Sequence, residues 1–326
     1  MKESEIRDDN KLKKYNNLVD KDFKKFFKSK KNFKNINSKM WGCKNTKVIF
    51  IKKNFLFHEC LDTGTIFANP RPTQNTLNKF YSSAKSSNYW YNKFFLPKLK
   101  FRINKTIKPK ASFLINNFSQ YQKKKILDVG SGAGFFLKEI KQKWPKANLY
   151  ALEPSSIMAK KCKEHNISVY ESTIENFKTN KKFDVITSFE LFEHVFDPYI
   201  FLKKIYNILN KNGIFYFTTL NGKGFDIQLL KENSNSIYPP YHINFFNINS
   251  LKIILKKIGF KKILIDTPGE LDFNIVEKNH DLIPNNINRL IFKKLLKKMT
   301  NSEKINFQKL LKKQLLSSHM RIVAKK

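Results

Sequence analysis

Two carboxylates and an imidazole crowd into the segment Glu190-x-x-Glu193-His194, and a second histidine, His242, stands in PPYHINFF. Acids and imidazoles in such company accept and return protons near neutrality, and the same donors can hold a hard or borderline cation. A second group of residues is suited to binding. Asp128 precedes Gly130, Gly132 and Gly134 in ILDVGSGAGFFL, residues 126–137, and Glu153 closes the next apolar run, NLYALEP. Glycines let the backbone turn tightly and let a ligand approach with no Cβ in the way. Here they read G-x-G-x-G, with Phe135 where a dinucleotide fold wants a third glycine. An acid just ahead of the turn suits a cationic ligand better than a pyrophosphate.

An apolar strand that runs through a glycine turn into a helix is how a parallel α/β sheet opens a nucleotide site. The spacing predicts strands near 125–130, 148–152, 167–170, 183–189 and 213–219, with helices near 133–143, 155–164 and 198–209. That alternation implies a sheet with helices on both faces. The fourth strand, in FDVITSFELFEHVFDP, ends at the sheet edge where α/β proteins bind ligands, which sets Phe189, Glu190, Glu193 and His194 beside the glycine turn. A helix near 249–258 ends at Gly259, residues 283–315 read as lysine-rich amphipathic helices that cap the core, with weak binding to a membrane surface as the alternative, and SSHMRIVAKK reads as a last strand. Ahead of this domain, 123–326 with its helical insertion at 283–315, lie three segments. Residues 1–40 form a charged leader, partly ordered or helical, without a clear apolar period. Residues 41–75 form a small β-rich module closed by Pro70-Arg71-Pro72, and 76–122 a helical connector with breaks at Pro97 and Pro109.

A chain of 326 residues with 41% hydrophobic content can bury one large core with appendages. No apolar run approaches a membrane span, so no stable membrane insertion is expected, and the amino terminus lacks the apolar core of a signal peptide; a cytoplasmic protein is expected. Three cysteines, Cys43, Cys60 and Cys162, cannot form an even disulfide framework, which agrees with a reducing compartment. A net charge of +37 ordinarily points to nucleic acid or an anionic surface. Only five of the 63 basic residues are arginine, however, and nucleic-acid readers lean on arginine. The chain is equally crowded with Asn, Ile and Phe, as an AT-rich coding sequence dictates. An anionic substrate stays in play, because the field attracts one.

The glycine turn with Asp128 before it and Glu153 after it resembles the first motifs of the class I S-adenosylmethionine-dependent methyltransferases. The resemblance implies an α/β fold with a Rossmann-like seven-stranded methyltransferase sheet, mostly parallel with an antiparallel last strand. It implies S-adenosyl-L-methionine as cofactor, bound by Asp128, Gly130, Gly132, Gly134, Glu153, Thr173, Phe189 and Glu190. Glu153 would accept hydrogen bonds from the ribose hydroxyls, worth about 1.5–3 kcal/mol each, and Thr173 lies in VYESTIENF, similar to the family segment near the adenine. Glu190-x-x-Glu193-His194 followed by Asp197-Pro198 is similar to a segment of ubiquinone-type O-methyltransferases that is associated with a divalent metal. The alternative, preferred here, is that Glu193 and His194 cap and orient the following loop with no metal bound. His194, Glu193 and His242 are the catalytic candidates, and His242, in the region that forms the substrate side of related enzymes, is a base, an orienting donor or a packed loop histidine. His58, His165, His280 and His319 have weaker cases. Tyr238-Pro239-Pro240-Tyr241 resembles the N-P-P-Y signature of adenine-amine methylating enzymes, but there the motif ends the fourth strand, a place held here by FELFEH.

Outside the core, CLDTGTIFANPRPTQNTLNKFYSS, SNYW and FRINKTIKPK resemble the amino-terminal module of a bacterial methyltransferase family associated with surface-polysaccharide sugars. Such modules commonly carry two C-x-x-C pairs, as a zinc ribbon does. Here Met40-Trp-Gly-Cys43 and Cys60-Leu-Asp-Thr63 keep one cysteine each, so even with His58 the donor set is incomplete. No zinc is expected, with Trp41, Ile49, Phe50, Phe55 and Phe57 packing in its place. The function implied is methyl transfer to an oxygen, nitrogen or carbon of a small molecule, a sugar or nucleotide-sugar intermediate among the candidates. Two alternatives stand beside it: an RNA methyltransferase that stacks bases on Tyr89, Trp90 and Tyr91, and a non-catalytic cofactor-binding scaffold whose helices at 290–315 dock a partner.

Overall fold

The computed structural model describes residues 9–326, so residues 1–8 of the leader lie outside the described residues. Seven strands make the central sheet: β1 (Lys125–Val129), β2 (Asn148–Leu152), β3 (Ser168–Tyr170), β4 (Phe183–Phe189), β5 (Leu209–Leu220), β6 (Lys262–Asp266) and β7 (His319–Lys325). Across the sheet they run β6-β7-β5-β4-β1-β2-β3. β7 is antiparallel to β5 and β6, and the other pairings are parallel, as the family resemblance implies. Side chains alternate across the sheet, so each strand serves two cores. Ile186, Phe215 and Phe217 pack with Phe201, Leu202, Ile205, Leu251, Ile254 and Leu255 from the helices Pro198–Ile208 and Ile248–Ile258. Val185, Ile214 and Tyr216 face the other way, against Ala111, Leu114, Phe136 and Ile140 from Lys108–Asn117 and Phe135–Lys143.

Capping sets where the helices on the first face begin. Asp197 accepts from the amides of Tyr199 and Ile200 at 2.9 and 3.1 Å, with Pro198 at the first helical position. Asn247 and Ser250 cap the helix Ile248–Ile258 reciprocally.

The amino-terminal region is woven into this domain. A four-stranded antiparallel sheet contains Thr46–Lys52, Phe55–Cys60 and Ile66–Ala68, and takes its fourth strand, Asn244–Phe245, from beyond the central sheet's fifth strand. Trp41, Phe55 and Phe57 are fully buried there, and Ile49 and Phe50 partly so. The leader does have an apolar period, contrary to the expectation above. Leu12, Tyr15, Val19, Phe23 and Phe27 recur every three or four residues in the helix Asp9–Phe27, and the lysines between them mask the stripe. Asp22 on that helix accepts from the backbone amide and hydroxyl of Ser86 at 2.8 and 2.6 Å, capping Lys85–Trp90 in the connector.

The cysteines also correct the expectation of unpaired thiols. Cys43 and Cys60 are joined as a disulfide with their Cα atoms 5.7 Å apart, and Cys162 is free and buried. The hairpin register explains this: Thr46 sits opposite Cys60, which brings the residues just before Thr46 alongside. The Asp62 carboxylate lies within 4.8 Å of both sulfurs. Among the described residues no helix is long and apolar enough to cross a membrane.

Arg71 locks these parts together. Its guanidinium is fully buried and donates to the carbonyls of Ala68 and Phe196 at 2.9 and 3.0 Å, to Asn244 Oδ1 at 2.7 Å and to the carbonyl of Ile243 at 3.3 Å. Burial lowers its pKa to about 9, while Asp197 favours the charge. Arg71→Ala strands several buried acceptors and is expected to cost about 3 kcal/mol or more. A urea midpoint equal to that of the parent chain would refute this role.

Candidate active site

The glycine turn between β1 and Phe135–Lys143 does two different jobs. Gly134 lies at φ +77°, and a Cβ there would sit 2.5 Å from Cys162 Sγ and 3.3 Å from its Cα, so this glycine serves close packing of the following helices. Gly132, at φ +54°, would carry a Cβ with nothing within 4 Å. Its amide donates to Glu153 Oε2 at 2.8 Å, and Ser155 N donates to Oε1 at 2.9 Å. Glu153 therefore bridges the turn and the next helix start, and burial raises its pKa. Asp128 lies beneath the turn, buried, accepting from Thr187 Oγ1 on β4 at 2.7 Å. Burial outweighs that bond and pushes its carboxyl up to about 7.

A cavity of about 590 Å³ opens above these residues. Gly130, Glu153 and Thr173 line one part of it, and Glu190, His194, Tyr81 and Tyr241 another. Thr173 Oγ1 is buried without a hydrogen-bond partner. These features fit a bound nucleoside: a carboxylate with unused lone pairs, an orphaned hydroxyl and a glycine with open space beside it. Phe189 does not line the cavity; it packs behind β4 on Phe136 and Tyr216, at 4.6 and 5.1 Å between ring centroids.

The glutamates of Glu190-x-x-Glu193 part company. Glu190 sits at φ +53°, a conformation that costs a non-glycine residue about 1–2 kcal/mol. Three partners hold it there: Thr218 Oγ1 at 2.6 Å, Lys110 Nζ at 3.1 Å and His319 Nε2 at 3.2 Å. His319 and Lys110 keep its carboxyl well below the usual range, although burial acts the other way. Glu193 is buried, accepts from Thr219 Oγ1 at 2.9 Å, and is pushed well above the usual range by burial and then by Glu190.

His194 Nε2 lies 3.9 Å from Glu193, and its Nδ1 lies 3.5 Å from the Tyr81 hydroxyl. Burial, with His242 beside it, lowers its pKa to about 3, so the ring is neutral at physiological pH. His242 meets His194 edge to face at 4.9 Å between centroids, and its Nδ1 is 2.6 Å from the Ser236 carbonyl. A carbonyl only accepts, so Nδ1 carries a proton and donates it to that carbonyl.

Ligand atoms of Glu193, His194 and His242 all lie within 4.8 Å of one another. The structure thus groups the three catalytic candidates, while Glu190 is already occupied by two basic side chains and stands outside that set. Tyr81, Tyr241 and the threonines Thr187, Thr218 and Thr219 were not singled out for the site from sequence. Both tyrosines come from segments remote from the glycine turn, and alternation along β4 and β5 was the only available signal for the threonines.

The methyltransferase-domain family matches residues 103–265. A ubiquinone biosynthesis O-methyltransferase of Pasteurella multocida is 29% identical over 166 residues, covering 45% of this chain and 65% of that protein. Another, of Actinobacillus pleuropneumoniae serotype 7, is 36% identical over 110 residues, covering 30% and 46%. Malonyl-[acyl-carrier protein] O-methyltransferase 2 of Ilyobacter polytropus is 30% identical over 137 residues, covering 40% and 52%. The chain thus spans 46 to 65% of the length of these relatives. Among solved structures, the plantazolicin methyltransferase BpumL in complex with SAH superposes with a TM-score of 0.50 at 18% identity, covering 77% of this chain and 93% of that one, which shows a shared fold.

The raised pKa of Glu193 has a consequence for stability. A carboxyl whose folded pKa lies above its unfolded value of 4.5 stabilises the fold while protonated, and that contribution fades as pH rises through the folded value. Gln does not titrate. The melting temperature of Glu193→Gln relative to the parent should therefore climb between pH 4.5 and pH 8; a difference that stays flat or falls over that range contradicts the burial argument.

Proposed function

This chain belongs to the methyltransferase-domain family, and we propose that it catalyses S-adenosylmethionine-dependent methyl transfer to a small-molecule acceptor. The observation that carries the reading is the single cavity in which the glycine turn and Glu153 share walls with His194, Tyr81 and Tyr241. S-adenosylmethionine, when bound, supplies an activated methyl on a sulfonium. Glu153 spends two acceptor sites on Gly132 and Ser155 and keeps others for ribose hydroxyls. The Thr173 hydroxyl would gain a partner at the base, and Asp128, raised by burial and then by Glu153, would return toward the carboxylate range when a cation approaches.

The acceptor side is built for alignment and proton removal. Alignment of reacting groups can supply roughly 7–11 kcal/mol. His194 and Glu193 form a pair in which burial disfavours charge on either member. Neutral His194 is a weak base, and an ionised Glu193 beside it would stabilise the imidazolium formed when it takes the acceptor's proton, so kcat should rise with pH from neutral into the alkaline range. Glu193→Gln should lower kcat by about 10²–10⁴-fold and remove that rise. A variant that keeps the parent pH profile removes Glu193 from proton transfer.

For the acceptor, we favour a sugar or nucleotide sugar. Gln74, Asn78 and Ser82, on the helix Gln74–Ser83, line the cavity with the donors and acceptors that a polyol needs, and Lys79 beside them suits a phosphorylated one. The likeness of residues 60–83 to the amino-terminal module of sugar-modifying methyltransferases adds support. The test is transfer of labelled methyl from S-adenosylmethionine to nucleotide sugars, quinone precursors and RNA, with Glu153→Ala as control. Product on a nucleotide sugar, lost in the control together with cofactor affinity by calorimetry, is expected. Product on RNA alone overturns the acceptor class, and no cofactor binding at all overturns the reading.

A further inference from the structure

Large hydrophobic side chains left exposed are concentrated in one place. Of fifteen among the described residues, nine lie between Leu282 and Leu316. Two helices make up most of that stretch, Asn286–Lys298 and Asn301–Lys313. The first is apolar on two sides. Phe292 is buried and Leu296 and Met299 are partly so, packing on Phe273 and Val276 beneath. Ile287, Leu290, Ile291 and Leu295, spaced three, one and four residues apart, fall on the opposite face and are 40 to 68% exposed. Packing against the domain explains the first stripe and leaves the second without a packing partner among the described residues.

Charge identifies the occupant. Residues 282–316 hold nine basic residues and one acid, Glu303. Ion pairs take Lys293 to Asp281, Lys304 to Glu277 and Lys312 to Glu270, all acids from outside the stretch. Lys294 and Lys298 lie on the outward face of the first helix, in line with the exposed leucine and isoleucines, and Lys297 stands beside them. A second copy of the chain would set nine cations against nine, so self-association through this face is disfavoured. An apolar stripe bordered by lysines, whose long stems let the ammonium reach outward while the helix sinks, matches the surface of an anionic bilayer.

We propose that residues 282–316 dock this protein on an anionic lipid surface, with Ile287, Leu290, Ile291 and Leu295 entering the interface and the neighbouring lysines meeting the headgroups. The segment lies in the connection between β6 and β7, just ahead of His319, which contacts Glu190. Docking therefore holds to the membrane the same edge of the sheet that carries the cavity.

The test is co-sedimentation of the full chain with vesicles of phosphatidylcholine alone and of phosphatidylcholine mixed with phosphatidylglycerol. Binding to the anionic vesicles only, weakening as salt is raised, is expected. The triple variant Lys294→Gln, Lys297→Gln, Lys298→Gln should bind more weakly by roughly fivefold for each lysine removed. The double variant Leu290→Ser, Ile291→Ser should lose roughly tenfold or more, with an unchanged circular dichroism spectrum because both side chains are exposed. No preference for anionic vesicles, or unchanged binding by the double variant, overturns the proposal. Retention on an RNA oligomer with none on vesicles overturns it in favour of nucleic acid, and retention on an acidic protein alone overturns it in favour of a protein partner.

Discussion

A buried guanidinium has to find acceptors or cost the fold several kcal/mol, and the placement of Arg71 organises much of what surrounds the cavity. Its four acceptors come from the small sheet, from the loop after β4 and from the strand segment at 243–244. The Trp41 and Phe67 rings lie 5.8 and 6.0 Å from the charge, so the aromatic core of the small sheet wraps the same side chain. Once these segments are tied, Tyr241 is set beside Tyr81, and the Tyr81 hydroxyl reaches the Tyr241 carbonyl at 3.3 Å and His194 at 3.5 Å. The wall of the cavity is thus assembled from parts of the chain more than a hundred residues apart. It depends on one cation that cannot leave.

The opposite behaviour of Glu190 and Glu193 follows from strand geometry. Adjacent residues on a strand point to opposite faces, and each glutamate is bonded by one of two neighbouring threonines of β5: Thr218 donates to Glu190, Thr219 to Glu193. The short turn Phe192–His194 lets the chain cross from one side of the strand end to the other. On one side Lys110 and His319 surround the carboxylate; on the other the carboxyl is buried beside the His194 ring. One acid is held ionised and the other protonated without a large change in sequence context.

Much of this was legible in the sequence, and the reasons differ by element. The central strands and their helices announce themselves through period and glycine, and their limits fall within a few residues of expectation; β5 starts earlier and runs through Asn212. Gly130, Glu153, Thr173, Glu190 and His194 were readable as a group because each sits at the carboxyl end of a strand or just beyond. Pairings between distant segments were not readable. Nothing local says that Asn244–Phe245 completes a sheet begun at Thr46, that Cys43 faces Cys60, or that Arg71 is buried rather than a turn residue between prolines. The placement of Phe189 behind β4 was not readable for a related reason: position in a motif does not reveal which face of a strand a side chain takes. Tyr241 stands in the Tyr238-Pro239-Pro240-Tyr241 stretch, whose likeness to another motif was set aside, yet that tyrosine lines the cavity.

The division of labour in the cavity follows from the order in which the fold is built. Residues from the ends of β1, β2 and β4 sit on the sheet itself, where backbone pairing leaves little room for variation. The facing wall comes from the helix Gln74–Ser83 and the loop that holds Tyr241 and His242, which are tied to the sheet end through Arg71 and Asn244 and touch His194 directly. Under the proposed function, the donor side is constrained by the architecture and the acceptor side by an appended module that can change without disturbing it. Substitutions at Gln74, Asn78 or Lys79 would then shift acceptor preference while leaving Glu153 and its hydrogen bonds to Gly132 and Ser155 intact. Under that reading the helix Gln74–Ser83 and the Tyr241 loop form the specificity half of the cavity, carried on parts of the chain whose sequence betrays their position least.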